Sequence, residues 1–218
     1  LMSILNDILD SSKLDAGKMA LETIPFDPRR VVEGAVTLMS GRASEKGVTL
    51  AAETSDDAPA ALLGDPNRLR QVVLNLIGNA VKFTDAGSVT VRMTRTGEGD
   101  PVPISISVHD TGIGMSREVL GRLFGDFAQA DSSTARRFGG TGLGLSISKR
   151  IADLMGGDIL VDSEPGVGSV FDLRVAFPAA DRATLAEEGE IAQLPPLSVL
   201  VAEDNQVNQR VARGLLEK

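Results

Sequence analysis

Phe138–Ile159 reads FGGTGLGLSISKRIADLMGGDI. Glycines at 139, 140, 142 and 144 precede a run in which Leu143, Ile147, Ile151 and Leu154 recur at three- and four-residue spacing, the mark of one apolar helix face. Gly156-Gly157 ends the run, because glycine accepts the left-handed conformation just past a helix end without a Cβ penalty. A glycine-rich turn that opens a helix leaves backbone N–H groups pointing outward. With the positive end of the helix dipole they form an anion site, best suited to phosphate. A flexible loop before an ordinary core helix fits the same residues when this stretch is read alone.

The surrounding chain narrows the choice. Its 218 residues suffice for one full domain plus appendages. Hydrophobic residues make up 42%, enough for a sizeable core, but aromatics are only 3% with no Trp or Tyr, so that core is aliphatic. A net charge of −8 and a pI near 4.8 exclude a general nucleic-acid binder. A polyanionic ligand therefore needs local cations or a metal. The absence of Cys excludes disulfides, thiolate metal sites and a cysteine nucleophile, and suits a reducing compartment. No apolar run approaches the ~20 residues of a membrane span, and no signal peptide is visible. The expected location is cytoplasmic, with any membrane anchor of a parent protein lying upstream. Helical patterns run into both ends, so the chain reads as a fragment of something longer. No internal repeat is found.

Leu1 to about Glu22 reads as the tail of a helix, with Leu1, Ile4, Leu5 and Ile8 as an apolar stripe for another helix, or for docking on the domain that follows. Asp27-Pro28 and Asp65-Pro66 are helix starts, each an Asp cap with Pro in the first turn. The first helix runs to about Lys46, and Val48–Glu53 is a short strand. In the second helix Leu69, Val72, Val73, Leu76, Ile77 and Ala80 form the buried stripe. Asn75, Asn79 and Lys82 fall within about 60° of one another, some 120° away from that stripe. Asn is a poor helix former. Two on one stripe with a Lys suggest a binding face; a solvated face is the plain alternative.

Ser88–Arg95 and Val102–Asp110 are strands. Strict alternation in the second puts Asp110 on the side of Ile104, Ile106 and Val108, with Ser105, Ser107 and His109 opposite. A carboxylate aimed at an apolar face is costly unless it meets a donor. A ligand amine, a held water or the next turn of chain can supply one. His109, the only His, is assigned no role. DTGIG at 110–114 turns the chain, Met115 to about Phe124 suits a short helix, and Gly125–Gly139 has the composition of a mobile lid. Asp158–Asp162 and Ser169–Phe177 are strands joined by a hairpin turn. Ala179–Pro196 is a linker. Leu197–Ala202 is an apolar strand whose end carries Glu203-Asp204, a candidate hard-cation pair, before a helix to Lys218.

The order of these features resembles the ATP-binding domain of two-component histidine kinases, in the superfamily shared with type II topoisomerases and certain heat-shock chaperones. The resemblance covers about Phe26 to Phe177. LNLIGNAVKFT resembles that family's N box, DTGIGM its first glycine box, LFGDFAQAD its F box, GGTGLGLSISKRIADLMGG its second glycine box and GVGSVF its last. ILDSSKLDAGKMALETIPFD resembles the second helix of a dimerisation and phosphotransfer domain, and VLVAEDNQVNQRVARGLLEK the start of a receiver. The combination is that of a hybrid sensor kinase. It divides the chain at 1–25, 26–177, a linker at 178–196 and receiver residues 197–218.

The resemblance implies an α/β two-layer sandwich, helices on one face of a mixed sheet, binding ATP and Mg2+. It implies that Asp110 accepts from the adenine amino group and that Gly112 and Gly114 let backbone approach base and sugar. Asn79 is the implied Mg2+ ligand, and Asn75 and Lys82 meet phosphates or metal-bound water. Asn79 and Lys82 are thus the expected catalytic residues. Gly140, Thr141, Gly142, Leu143 and Gly144 cradle the phosphates, and Arg136 or Arg137 reaches the γ-phosphate from the lid. Phe83, Phe124 and Phe171 are apolar neighbours of the nucleotide. The implied reaction is phosphoryl transfer from ATP to a His on the dimerisation domain, upstream of Leu1, then to a receiver Asp beyond Lys218. The implied partners are that helix in a homodimeric parent, a receiver or response regulator, and ATP or ADP; nucleic acid is not among them. An ATP-binding module that regulates or scaffolds without phosphorylating is the alternative. Asp-Thr-Gly also marks aspartic proteases, which need two such carboxylates; one copy occurs here and the other boxes go unexplained. No GxxxxGK[ST] is present, so P-loop chemistry is not supported.

Overall fold

The computed structural model describes residues 2–125, 142–185 and Gln209. The chain divides into two units, Leu1–Ala186 and Glu187–Lys218, and every element below belongs to the first. The expected lid, most of the linker and the receiver residues lie outside the described residues, as do Glu203 and Asp204.

Among the described residues the α-helices are α1 (Met2–Asp15), α2 (Pro28–Glu45), α3 (Pro66–Phe83), α4 (Arg117–Leu120) and α5 (Gly144–Leu154). The strands among the same residues are β1 (Ile24–Phe26), β2 (Val48–Thr54), β3 (Leu62–Gly64), β4 (Gly87–Arg95), β5 (Val102–Asp110), β6 (Asp158–Glu164) and β7 (Gly168–Phe177). The main sheet runs β2-β4-β5-β7-β6, with β2–β4 parallel and the other pairs antiparallel. Helices α2, α3 and α5 cover one face, which gives the mixed two-layer sandwich the sequence implies.

The core is the aliphatic one that composition requires. Val89, Val91 and Met93 of β4, Ile104, Ile106 and Val108 of β5, and Leu173 and Val175 of β7 meet the stripes of α2 and α3. Leu69, Val72, Val73, Leu76 and Ile77 of α3 have no solvent exposure. The opposite sheet face is polar. Glu53, Arg92, Ser107 and Asp172 stand in one cross-strand row, and Arg92 bonds Glu53 at 2.7 Å. His109 lies on that face, its Nε2 2.9 Å from Ser107 Oγ.

Both Asp-Pro caps form. Asp27 Oδ1 accepts from Arg29 N at 2.9 Å, and Asp65 Oδ1 accepts from Asn67 N and Arg68 N at 3.0 Å each. Three expectations are corrected. The first helix ends at Asp15 rather than near Glu22, because Gly17 takes φ +61° and Lys18 N bonds back to Lys13 O. Beyond it Met19 turns into the core. The helix expected from Met115 to Phe124 spans only Arg117–Leu120; Arg122 N and Leu123 N then bond three residues back, to Val119 O and Leu120 O, which tightens the turn instead of extending it. Leu154, placed by periodicity in the buried stripe of α5, is 46% exposed in the last turn, while Ala152 is buried. Strands β1 and β3 have no counterpart in the sequence reading. They pair as a three-residue ribbon, and Phe26 meets Phe177 edge-on at 5.4 Å between ring centroids.

Helix α1 docks on this domain. Asp10 accepts from Arg68 at 3.2 Å and from Gln71 at 2.8 Å, both on α3, and Asp15 pairs with Arg150 of α5 at 2.7 Å. No helix among the described residues is long and apolar enough to cross a membrane.

Candidate functional site

Helix α3 presents Asn75, Asn79 and Lys82, all half-buried, away from its apolar stripe. Asn75 Nδ2 donates to Ser148 Oγ of α5 at 2.8 Å. A Cβ on Gly144, the first residue of α5, would lie 2.4 Å from Asn75 Oδ1 and would meet nothing else so closely. The amide stripe of α3 and the glycine turn are therefore neighbours. The N-cap position of α5 is Leu143, buried in the core, whose own side chain makes no cap hydrogen bond. Gly142 takes φ +72°. The start of an 11-residue helix beside a half-buried amide suits an anion.

Lys82 Nζ sits 4.8 Å over the Phe83 ring. Burial lowers its proton affinity from the ordinary lysine range. Burial alone disfavours the ammonium charge, and an adjacent anion favours it.

The other end of the site is built by β5. Asp110 pairs with Val89 on β4 and with Ser169 on β7. Burial raises its carboxyl above the usual range, opposed by hydrogen bonds from Gly112 and Ser169 and by the charge of His109. Gly112 N donates to Asp110 Oδ1 at 2.8 Å, so the turn cap weighed from sequence does form. An ionised carboxylate has about four lone-pair positions, and these bonds leave acceptor capacity for a ligand donor. Asp110 is half-buried, not sealed.

The DTGIG turn is stitched to its surroundings by backbone. Ile113 N donates to Phe83 O at 3.2 Å, at the end of α3, and Gly166 N to Ile113 O at 2.8 Å. Gly114 takes φ +63°, and a Cβ there would lie 1.9 Å from Glu164 O. The close approach seen at Gly112 and Gly114 is thus to protein: the Phe83 carbonyl and the β6–β7 hairpin. Ser163 Oγ accepts from Met115 N at 2.8 Å and lies 2.9 Å from Ser169 Oγ. Ser148 bonds Asn75 and Ser169 bonds Asp110, with Ser163 behind Ser169, and none of the three is a candidate from sequence. The signal was faint: each is a small polar residue in a mainly apolar strand or helix.

Phe83 and Phe124 are half-buried, Phe124 against the core, and Phe171 is 5% exposed inside the core, paired with Val108. Arg136, Arg137, Gly140 and Thr141 lie outside the described residues. Among the described residues no three acidic or histidine side chains gather to hold a metal. A single amide oxygen at Asn79 fits a hard cation that arrives carried by a polyanion, not a protein cage. Two concavities, of about 190 Å³ beside Glu22, Asp65 and Gln71 and about 340 Å³ beside Ser40, Gly47 and Leu50, lie apart from this cluster.

Residues 64–179, from the end of β3 past β7, match the family described as "Histidine kinase-, DNA gyrase B-, and HSP90-like ATPase". The chain belongs to this ATPase family. Sensor histidine kinase GacS of Pseudomonas protegens is 41% identical over 221 residues, covering 100% of this chain and 24% of that protein. Signal transduction histidine-protein kinase BarA of Escherichia coli K12 is 44% identical over 172 residues, 78% of this chain and 19% of that one. The chain thus spans about a fifth to a quarter of the length of these curated relatives. Among solved structures, full-length ShkA in complex with AMPPNP superposes with a TM-score of 0.72 at 37% identity, over 83% of this chain and 36% of ShkA. The ATPase-family match contains both ends of the site, from Asn75 to Ser169.

Proposed function

We propose that this domain binds Mg-ATP and, within a hybrid sensor kinase, transfers the γ-phosphoryl group to a histidine on a dimerisation helix. One observation carries the reading: α3 touches both halves of the site, through Asn75 to Ser148 and Gly144 and through Phe83 O to Ile113 N. In this reading Asp110 accepts from the adenine amino group. The backbone N–H groups at the start of α5 receive phosphate oxygens, and Asn75 orients that turn from α3. Asn79 offers its amide oxygen to the metal, and Lys82 places its charge against the phosphates. The magnesium ion, when bound, neutralises charge on the phosphate oxygens and fixes their geometry.

Transfer forms a bond from phosphorus to the acceptor imidazole nitrogen and breaks the bond to the bridging oxygen of ADP. The protein's share is positioning and charge stabilisation. The names of GacS and BarA, sensor and signal-transduction histidine kinases, support this assignment. So does the AMPPNP complex of ShkA. Residues 1–25 would then close the dimerisation domain and 197–218 open a receiver. The domain would act in the cytoplasm, as part of a homodimer, with a receiver or response regulator downstream.

The test is calorimetric titration with ATP, with and without Mg2+, of the unaltered chain and of Asn79→Ala. Asn79→Ala is expected to lose far more affinity with the metal than without it. Equal losses refute the metal role, and no binding by the unaltered chain refutes the reading.

A further inference from the structure

The last four carbonyls of a helix have no partner within it and need one outside. In α3 each has one. Ala80 O accepts from Thr84 N at 3.1 Å and Thr84 Oγ1 at 2.8 Å. Val81 O and Lys82 O accept from Lys46 Nζ at 3.0 and 2.5 Å. Phe83 O accepts from Ile113 N at 3.2 Å. Lys46 is the C-cap residue of α2 and falls outside every motif of the sequence analysis. Its half-buried ammonium, also 3.6 Å from Asp85, lies at the negative end of the α3 dipole. The turn it holds begins one residue past Asn79 and contains Lys82. Asp110 is fixed differently, by strand pairing and by Gly112 and Ser169.

We infer that Lys46 is a positioning residue for the phosphate and metal end of the site: it clamps the last turn of α3 from behind, so that Asn79 and Lys82 meet the Mg-nucleotide already ordered. The inference rests on the nucleotide reading above. It separates the two ends of the ligand. Loss of the clamp frees the turn that carries the phosphate contacts and leaves the adenine acceptor in its strand.

The experiment titrates the 218-residue chain with Mg-ATP and, separately, with adenosine, for the unaltered chain, Lys46→Met and Lys46→Arg, and records thermal melts. Lys46→Met is expected to weaken Mg-ATP by about tenfold, or about 1.4 kcal/mol, and to change adenosine by less than about twofold. Lys46→Arg, which keeps charge and donors, restores Mg-ATP affinity to within about threefold. If Lys46→Met does not fold, Lys46→Gln, with an amide donor in place of the ammonium, is expected to show the same split at smaller size. Equal losses for both ligands, unchanged Mg-ATP affinity in a folded variant, or failure of Arg to restore it overturns the inference. Absent Mg-ATP binding by the unaltered chain overturns the nucleotide reading instead.

Discussion

Gly144→Ala isolates the contact between the two halves of the site. The added Cβ would lie 2.4 Å from Asn75 Oδ1, where ordinary contact begins at 3.4 Å, so the amide must retreat by about 1 Å. Retreat breaks the 2.8 Å bond from Asn75 to Ser148, a loss of about 0.5–1.5 kcal/mol. Alanine in place of glycine in a helix returns up to about 1 kcal/mol. The two terms nearly cancel, so the melting temperature is expected to stay within about 4 °C. Function does not share that cancellation. The amide is displaced away from the start of α5, and displacement of about 1 Å in a positioned site costs up to about 100-fold in rate. Mg-ATP affinity is expected to fall by at least tenfold, or about 1.4 kcal/mol. Calorimetry and thermal melts on the same preparations read both quantities. A double-mutant cycle with Asn75→Ala completes the assay, because with the amide gone the added methyl meets no obstacle and its penalty should vanish. Gly144→Ala with affinity within about threefold of the unaltered chain, or a penalty that persists in the Asn75→Ala background, refutes the reasoning.

Asp110→Asn trades stability against binding. Burial raises the folded-state pKa of Asp110 above its ordinary 3.8, so its favourable contribution is present below that value and is lost as pH rises through the folded pKa. Above the folded pKa the native state carries a desolvated charge that the neutral amide removes. The variant should melt higher than the unaltered chain there, with the difference fading toward pH 3.8, and should bind ATP poorly. A lower melt at neutral pH contradicts this. Gly114→Ala should destabilise far more than Gly166→Ala: both glycines have positive φ, worth about 1–2 kcal/mol, but only Gly114 has a backbone carbonyl in the way. Equal melting shifts would show that the DTGIG turn does not pack on the hairpin. The chain incubated with γ-phosphate-labelled ATP should carry no acid-labile label, since its only His, His109, lies on the polar sheet face with Ser107; label on His109 refutes that.

Local rules made much of this legible before any coordinates. Asp-Pro at 27–28 and 65–66 fixes both long helix starts through side-chain caps that depend on neighbours two or three residues away. Strict alternation over nine residues fixed the side of β5 on which Asp110 falls. Angular spacing alone collected Asn75, Asn79 and Lys82. Contacts across the fold were not legible. Strands β1 and β3 are three residues each, too short for a period to register, and exist because they pair with one another. The exposure of Leu154 depends on what stands opposite it, which periodicity does not encode. Ser148 and Lys46 matter through partners 73 and 35 or 36 residues away in the chain. The glycines of DTGIG invited a ligand explanation, yet the carbonyls of Phe83 and Glu164 already require them.

Amide resonances of the labelled chain during titration with Mg-ATP report directly on whether one ligand engages both ends of the site. The account predicts that the side-chain amides of Asn75 and Asn79, the backbone of Gly142 and Gly144, and the backbone of Gly112 all shift along one saturating curve with a single affinity. Shifts confined to one end, or two curves with different affinities, would contradict it.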